Sequence, residues 1–146
     1  MWESARMSQE TARGVTLSRT SRGHYEAVNP RGGRLSFGHG DGAEFTPVEL
    51  LLTAIAGCTA ADVDFITSKR SEPDRFEVAM TATKIRDEAG NHLVDLQLTL
   101  DVAFPDDEAG TAARSVLHSA ARASHDRLCT VGRTVEIGTP VTVEVR

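Results

Sequence analysis

The sequence predicts an α+β fold with elements in the order βββ-α-ββ-α-β. Three observations predict it. Apolar and polar residues alternate in several short runs separated by turn-forming residues. Two other stretches carry apolar residues at helical spacing. The alternating runs follow one another through short turns, so they pair as hairpins rather than through the crossover helices of a parallel sheet.

The chain of 146 residues has the length of one domain. Residues 1–12 read as a flexible leader with Trp2 as its only large apolar group, and 13–146 as a single domain. Val15 and Leu17, then Tyr25 and Ala27, alternate on either side of an Arg22-Gly23 turn. The stretch Asn29-Pro30-Arg31-Gly32-Gly33 turns the chain again, Leu35 and Phe37 continue the alternation, and Gly38-His39-Gly40-Asp41-Gly42 makes a loop. A helix opens at Thr46, a fair N-cap, with Pro47 at its first position and Glu49 completing a capping box. It runs to about Lys69-Arg70, where cations suit the C-terminal dipole. From Leu50 to Ala61 it is apolar around most of its circumference, so it is expected to be buried.

Beyond Pro73, Phe76, Val78, Met80 and Ala82 alternate. The chain turns at Glu88-Ala89-Gly90-Asn91 and returns through Leu93, Leu96, Leu98, Leu100, Val102 and Phe104, interrupted by Asp95. Pro105 to Glu108 start a second helix with acids at its N-terminus. Its small-residue stripe, Ala109, Ala113, Val116, Leu117 and Ala120, suggests a close approach to the first helix. Gly138-Thr139-Pro140 turn the chain into a final strand through Val141, Val143 and Val145.

Composition excludes several function classes. The net charge of −5, with both signs interspersed, lacks the basic patch of a nucleic-acid surface. Glu3, Arg6 and Glu10 near the N-terminus do not fit a signal peptide. The longest apolar run, Leu50 to Ala61, is about a dozen residues, short of a bilayer span. A cytoplasmic protein with no membrane partner is expected. There a redox-cycling cysteine pair is more natural than a structural disulfide. His24, His39, His92, His118 and His125 show no metal-set spacing, so neither metal nor cofactor is expected. The glycine-rich loop at 38–42 lacks the lysine of a phosphate loop and reads as a mobile loop near the site mouth.

The two cysteines carry the chemistry. Cys58 lies about eleven residues into the first helix, beyond reach of its N-terminal dipole. Apolar surroundings there raise a thiol pKa, so a reactive thiolate needs a cation brought by the strands. At about 100° per residue, Leu51, Ala54, Ile55, Asp62 and Phe65 share its face, and Glu49 falls on the opposite one. Asp62 is then the nearest carboxylate. Unpaired it opposes ionisation; paired with an arginine it could orient the guanidinium. The bland alternative for Cys58 is a small buried hydrophobe. Cys129 follows His125 by one turn and has Arg127 and Arg133 nearby, which favour its thiolate. The alternative is an ordinary basic helix end. The cysteines stand 71 positions apart, so only the fold can pair them.

The stretches Pro47-x-Glu49-Leu50-Leu51 through Ala56-Gly57-Cys58-Thr59, and Cys129-Thr130-Val131-Gly132-Arg133-Thr134, together with the element order, resemble the OsmC/Ohr family of thiol peroxidases over roughly residues 13–146. The resemblance implies an OsmC-like fold in an intertwined homodimer. Two central helices would pack on sheets from both chains, with two active sites at the interface. It implies reduction of organic hydroperoxides with Cys58 as peroxidatic and Cys129 as resolving cysteine. A dithiol reductant, such as a lipoyl protein, would close the cycle. Arg22, with Arg19 as alternative, would pair with the thiolate. In the best-known branches a glutamate after the helix-opening proline holds that arginine. Here the position is Val48, and the chain is more similar to a less characterised branch. Asp62 is then the expected partner of Arg22. Glu49, one residue beyond Val48, joins the candidates, although the capping box is its simpler role. Two rival readings are a non-catalytic dimer holding a small lipophilic ligand and a thiol redox sensor.

Overall fold

The computed structural model describes residues 11–146, so the expected leader lies almost wholly outside the described residues. The chain divides into two compact units, Met1–Leu50 and Leu51–Arg146.

The first unit is the expected meander. Strands β1 (Thr16–Ser21), β2 (His24–Val28) and β3 (Arg34–Gly38) pair antiparallel in sequence order. The β1–β2 register slips between Arg19 and Ser21, just before the Arg22-Gly23 turn. The β2–β3 turn is held by Asn29, whose Oδ1 accepts the N–H groups of Arg31 and Gly33 at 3.0 and 2.9 Å. Tyr25 and Phe37 face each other across the ladder and stack with centroids 5.5 Å apart.

Helix α1 (Pro47–Thr67) begins in this unit and continues through the next. Its start is a complete capping box. Thr46 Oγ1 accepts the Glu49 N–H at 3.2 Å, and Glu49 Oε1 accepts the Thr46 N–H at 3.1 Å. Its buried residues are Ile55, Thr59, Val63 and Thr67, one stripe at i, i+4 spacing. The helix is therefore not buried all round within one chain: Leu51 is exposed and Phe65 is 74% exposed. At 21 residues, and with a mean hydropathy of 1.5, it is long and apolar enough to cross a membrane, which the dozen-residue apolar run had not suggested. Asp62, however, accepts a hydrogen bond from the buried Ser124 hydroxyl, and Thr59 reaches the buried Cys129 thiol. These contacts tie one face of the helix to the segments around Ser124 and Cys129.

The rest of the second unit is a long hairpin followed by helices. Strands β4 (Arg75–Asp87) and β5 (Gly90–Ala103) pair antiparallel. Asp87 Oδ1 accepts the N–H groups of Ala89 and Gly90 in the turn. Between the pairs Thr81↔Gln97 and Thr83↔Val94, Ala82 stands opposite two residues, Asp95 and Leu96. Asp95 takes the left-handed φ of 54°, which an aspartate tolerates better than a branched residue. The change of apolar phase from Leu93 to Leu96 is this bulge.

Helix α2 (Glu108–Ala123) starts one residue after Asp107, whose Oδ1 accepts the Gly110 N–H at 2.7 Å. A Cβ on Gly110 would lie 1.8 Å from the Pro105 carbonyl oxygen, so only glycine fits this tight entry. Ala113 and Ala120 are buried. The helix runs into a single π-helical turn, Ser124–Leu128, and then helix α3 (Thr130–Glu136), neither of which was expected. The expected final strand does not form. Residues 139–146 carry no strand, and Val141, Val143 and Val145 are 88, 81 and 89% exposed. A strand needs a neighbouring edge to complete its hydrogen bonds, and this segment pairs with no strand among the described residues.

Candidate functional site

The fold brings the two cysteines together. Cys58 is half-buried on α1, and both thiols are free. Cys129, 3% exposed, is the N-cap of α3, and its Sγ accepts the Gly132 N–H at 3.2 Å. The Thr59 hydroxyl lies 3.9 Å from the same sulfur. The Cys129 thiol and the backbone N–H of Val131, in the first turn of α3, both act on the Cys58 thiol. Burial pushes the Cys58 thiol pKa up, the Cys129 thiol pushes it further, and the Asp62 charge adds to both; the Val131 N–H acts the other way.

A cavity of about 480 Å³ adjoins Cys129 within the second unit. Its wall is largely aliphatic, with Ile55, Met80, Leu96 and Leu98, and Cys129 opens onto it together with Thr59. It can take an apolar molecule or tail. Cys58 is not part of that wall, although the helix-face argument centred the apolar surface on it. His125 stands at the rim and reaches both Asp126, at 3.2 Å, and Glu136, at 3.0 Å. The Asp126 hydrogen bond and then the Glu136 charge hold the imidazole above its ordinary pKa.

Among the other expected site residues, Asp62 is engaged by Ser124, whose hydroxyl donates to Oδ2 at 2.8 Å. Arg22 lies exposed in the β1–β2 turn, and Arg19 on β1 is exposed as well. Glu49 caps α1. Sequence reasoning missed Thr59, Ser124, Val131 and Gly132. The Ser124 signal was available in its position just past the α2 stripe, but its partner Asp62 is 62 positions away. In the first unit the fold also gathers His24, His39 and Asp41, whose candidate ligand atoms all lie within 4.8 Å of one another. Histidine spacing had given no sign of this cluster.

A family model described as OsmC-like protein matches residues 38–144. An uncharacterized protein of Mycobacterium tuberculosis is 29% identical over 131 residues, covering 88% of this chain and 93% of its own. Among solved structures, a hypothetical protein from Aquifex aeolicus aligns with a TM-score of 0.70 at 19% identity, over 89% of this chain and 91% of that one. An organic hydroperoxide resistance protein from Elizabethkingia anophelis aligns with a TM-score of 0.55 at 13% identity, over 86% and 91% of the two chains. At these identities the structural likenesses establish the fold.

Proposed function

Because the chain belongs to the OsmC-like family, within the OsmC/Ohr group, we propose that it is a thiol-dependent peroxidase that reduces organic hydroperoxides in a peroxide-resistance role. The observation that carries this reading is that the fold brings Cys58 and Cys129, two free thiols from distant parts of the chain, near enough for one to act on the other's ionisation. The Cys58 thiolate attacks the distal peroxide oxygen. The O–O bond breaks, the departing alkoxide takes a proton to leave as the alcohol, and Cys58 becomes a sulfenic acid. The Cys129 sulfur then attacks Cys58. The S–S bond forms, and the sulfenic hydroxyl leaves with the Cys129 proton as water. A dithiol reductant, a lipoyl protein by family likeness, reopens the disulfide by exchange and is itself oxidised to a disulfide. The aliphatic cavity beside Cys129 supports a substrate with an apolar tail. Since burial and Asp62 disfavour the Cys58 thiolate, the mechanism calls for a cation. We assign that role to Arg22, with Arg19 as alternative, oriented by Asp62. The working form is a cytoplasmic homodimer of one domain per chain, residues 13–146.

One equivalent of an organic hydroperoxide is expected to give an intramolecular Cys58–Cys129 disulfide by mass spectrometry. In Cys129→Ser, oxidation is expected to stop at a sulfenic acid on Cys58, trapped by dimedone. A sulfenic acid trapped on Cys129 in Cys58→Ser, with Cys58 of Cys129→Ser unreacted, would reverse the roles, and unreacted thiols in the natural protein would end the peroxidase reading. The second reading is a dimer that holds a lipophilic ligand in the cavity. The raised Cys58 pKa favours it. Asp62→Asn separates the two. If the carboxylate orients an arginine, its loss slows Cys58 alkylation near neutral pH. If it is only a repulsive neighbour, alkylation speeds up and the binding reading gains.

A further inference from the structure

We propose that His24, His39 and Asp41 form a binding site for one divalent zinc-type ion. The ladder builds it. His24 opens β2 and pairs with Gly38, the last residue of β3, so His39 emerges beside it at the strand end. Asp41 Oδ2 lies 3.1 Å from His24 Nε2 and 3.4 Å from His39 Nε2. Tetrahedral zinc with bonds of roughly 2.0–2.1 Å holds its ligand atoms about 3.3 Å apart. Two imidazoles and one carboxylate suit a borderline ion such as zinc and leave its fourth position for water.

Two further observations point the same way. Glu44 Oε1 lies 3.2 Å from His24 Nδ1. A carboxylate on the far nitrogen fixes the tautomer that turns Nε2 toward a metal, the usual outer support of a zinc histidine. The backbone is also cleared for the rings. Gly23 has φ +76°, and a Cβ there would lie 2.0 Å from His39 Cδ2. A Cβ on Gly38 would approach His24 Nδ1 to 3.1 Å. Two glycines thus leave room for the two imidazoles that a side chain would take. The glycine-rich loop at 38–42 gains a role that the thiol chemistry does not use. The donor set contains no sulfur, so it is spectroscopically distinct from any site the cysteines could make.

The full-length protein is titrated with cobalt(II), and zinc is then used to displace it. The expected result is one equivalent per chain with visible ligand-field bands and no thiolate-to-cobalt charge-transfer band. Binding should persist in the Cys58→Ser/Cys129→Ser double variant and in His118→Ala. It should be lost in His39→Ala and in the isosteric Asp41→Asn, with circular dichroism unchanged. Glu44→Gln should weaken it by roughly 10- to 100-fold, as loss of an outer-sphere partner does. Gly23→Ala should weaken it although no ligand is altered. Three results would overturn the proposal: no saturable binding below millimolar metal, undiminished binding in both His39→Ala and Asp41→Asn, or binding that disappears with the cysteines.

Discussion

Cys58 shows how one side chain integrates its surroundings. Burial, the Cys129 thiol and the Asp62 charge all raise its pKa, and the Val131 N–H alone lowers it. Replacing Cys129 by alanine removes the second of these and admits water, which weakens the first. Both changes favour the thiolate. Cys129→Ala is therefore expected to shift the pH midpoint of Cys58 alkylation downward and to speed alkylation near neutral pH. The measurement is a pH series with a monofunctional alkylating agent read by mass spectrometry. A midpoint that rises would mean that Cys129 supports the thiolate, and its place in the pKa balance would have to be inverted. Asp62 was read from helical phase as the carboxylate nearest the thiol, and its charge does act on Cys58. Its bond to Ser124 was not readable, because nothing local ties residue 62 to residue 124.

At the scale of elements, the chain around Cys129 is the least expected part of the fold. The π-helical turn and α3 place the cysteine between them as a cap, and His125 clamps the two by reaching from the turn to Glu136 on α3. The folded pKa of His125 is raised, first by Asp126 and then by Glu136. The clamp therefore stabilises the fold fully below the unfolded histidine value of about 6.5, and its contribution is lost as pH rises through the folded pKa. Urea midpoints measured between mildly acidic and mildly alkaline pH should fall more steeply for the natural protein than for His125→Gln. Parallel curves would show that the clamp contributes nothing. Helix α1 was legible at its start, where Thr46 and Glu49 are local partners, a capping arrangement worth about 1 kcal/mol. Its buried stripe was less so. An apolar circumference does not say which face the chain itself will cover, and Ile55, Thr59, Val63 and Thr67 were selected by packing.

At the scale of the molecule, a single chain leaves much apolar surface uncovered. Phe65 and Leu51 on α1, Ile137 after α3 and the three valines of 141–145 are all exposed. Apolar side chains in such number are more often found at interfaces than in water. The proposed homodimer gives them a second chain to cover them and gives the C-terminal segment an edge to pair with. Gel filtration with light scattering should show twice the chain mass of 15.7 kDa at micromolar concentration. A chain truncated after Thr139 should dissociate at higher concentrations than the intact one. A compact monomer in both cases would remove the dimer from the functional reading.

The sequence by itself determined what short-range physics controls. Period-two alternation marked β1 to β5, the Asn29 and Glu88–Asn91 turns joined them, and Thr46 with Glu49 opened α1. Each of these depends on residues within a few positions of one another. The cysteine contexts, being local strings, were legible in the same way. Only the tertiary structure decided which distant groups meet. It set Cys58 against Cys129, hung Asp62 on Ser124, brought His24 to His39 and Asp41 across a strand pair, and left Val141 to Val145 without a ladder. Contacts of this kind close long loops whose ends the local pattern does not specify. They form only when burial of the whole chain compensates the entropy of bringing those ends together.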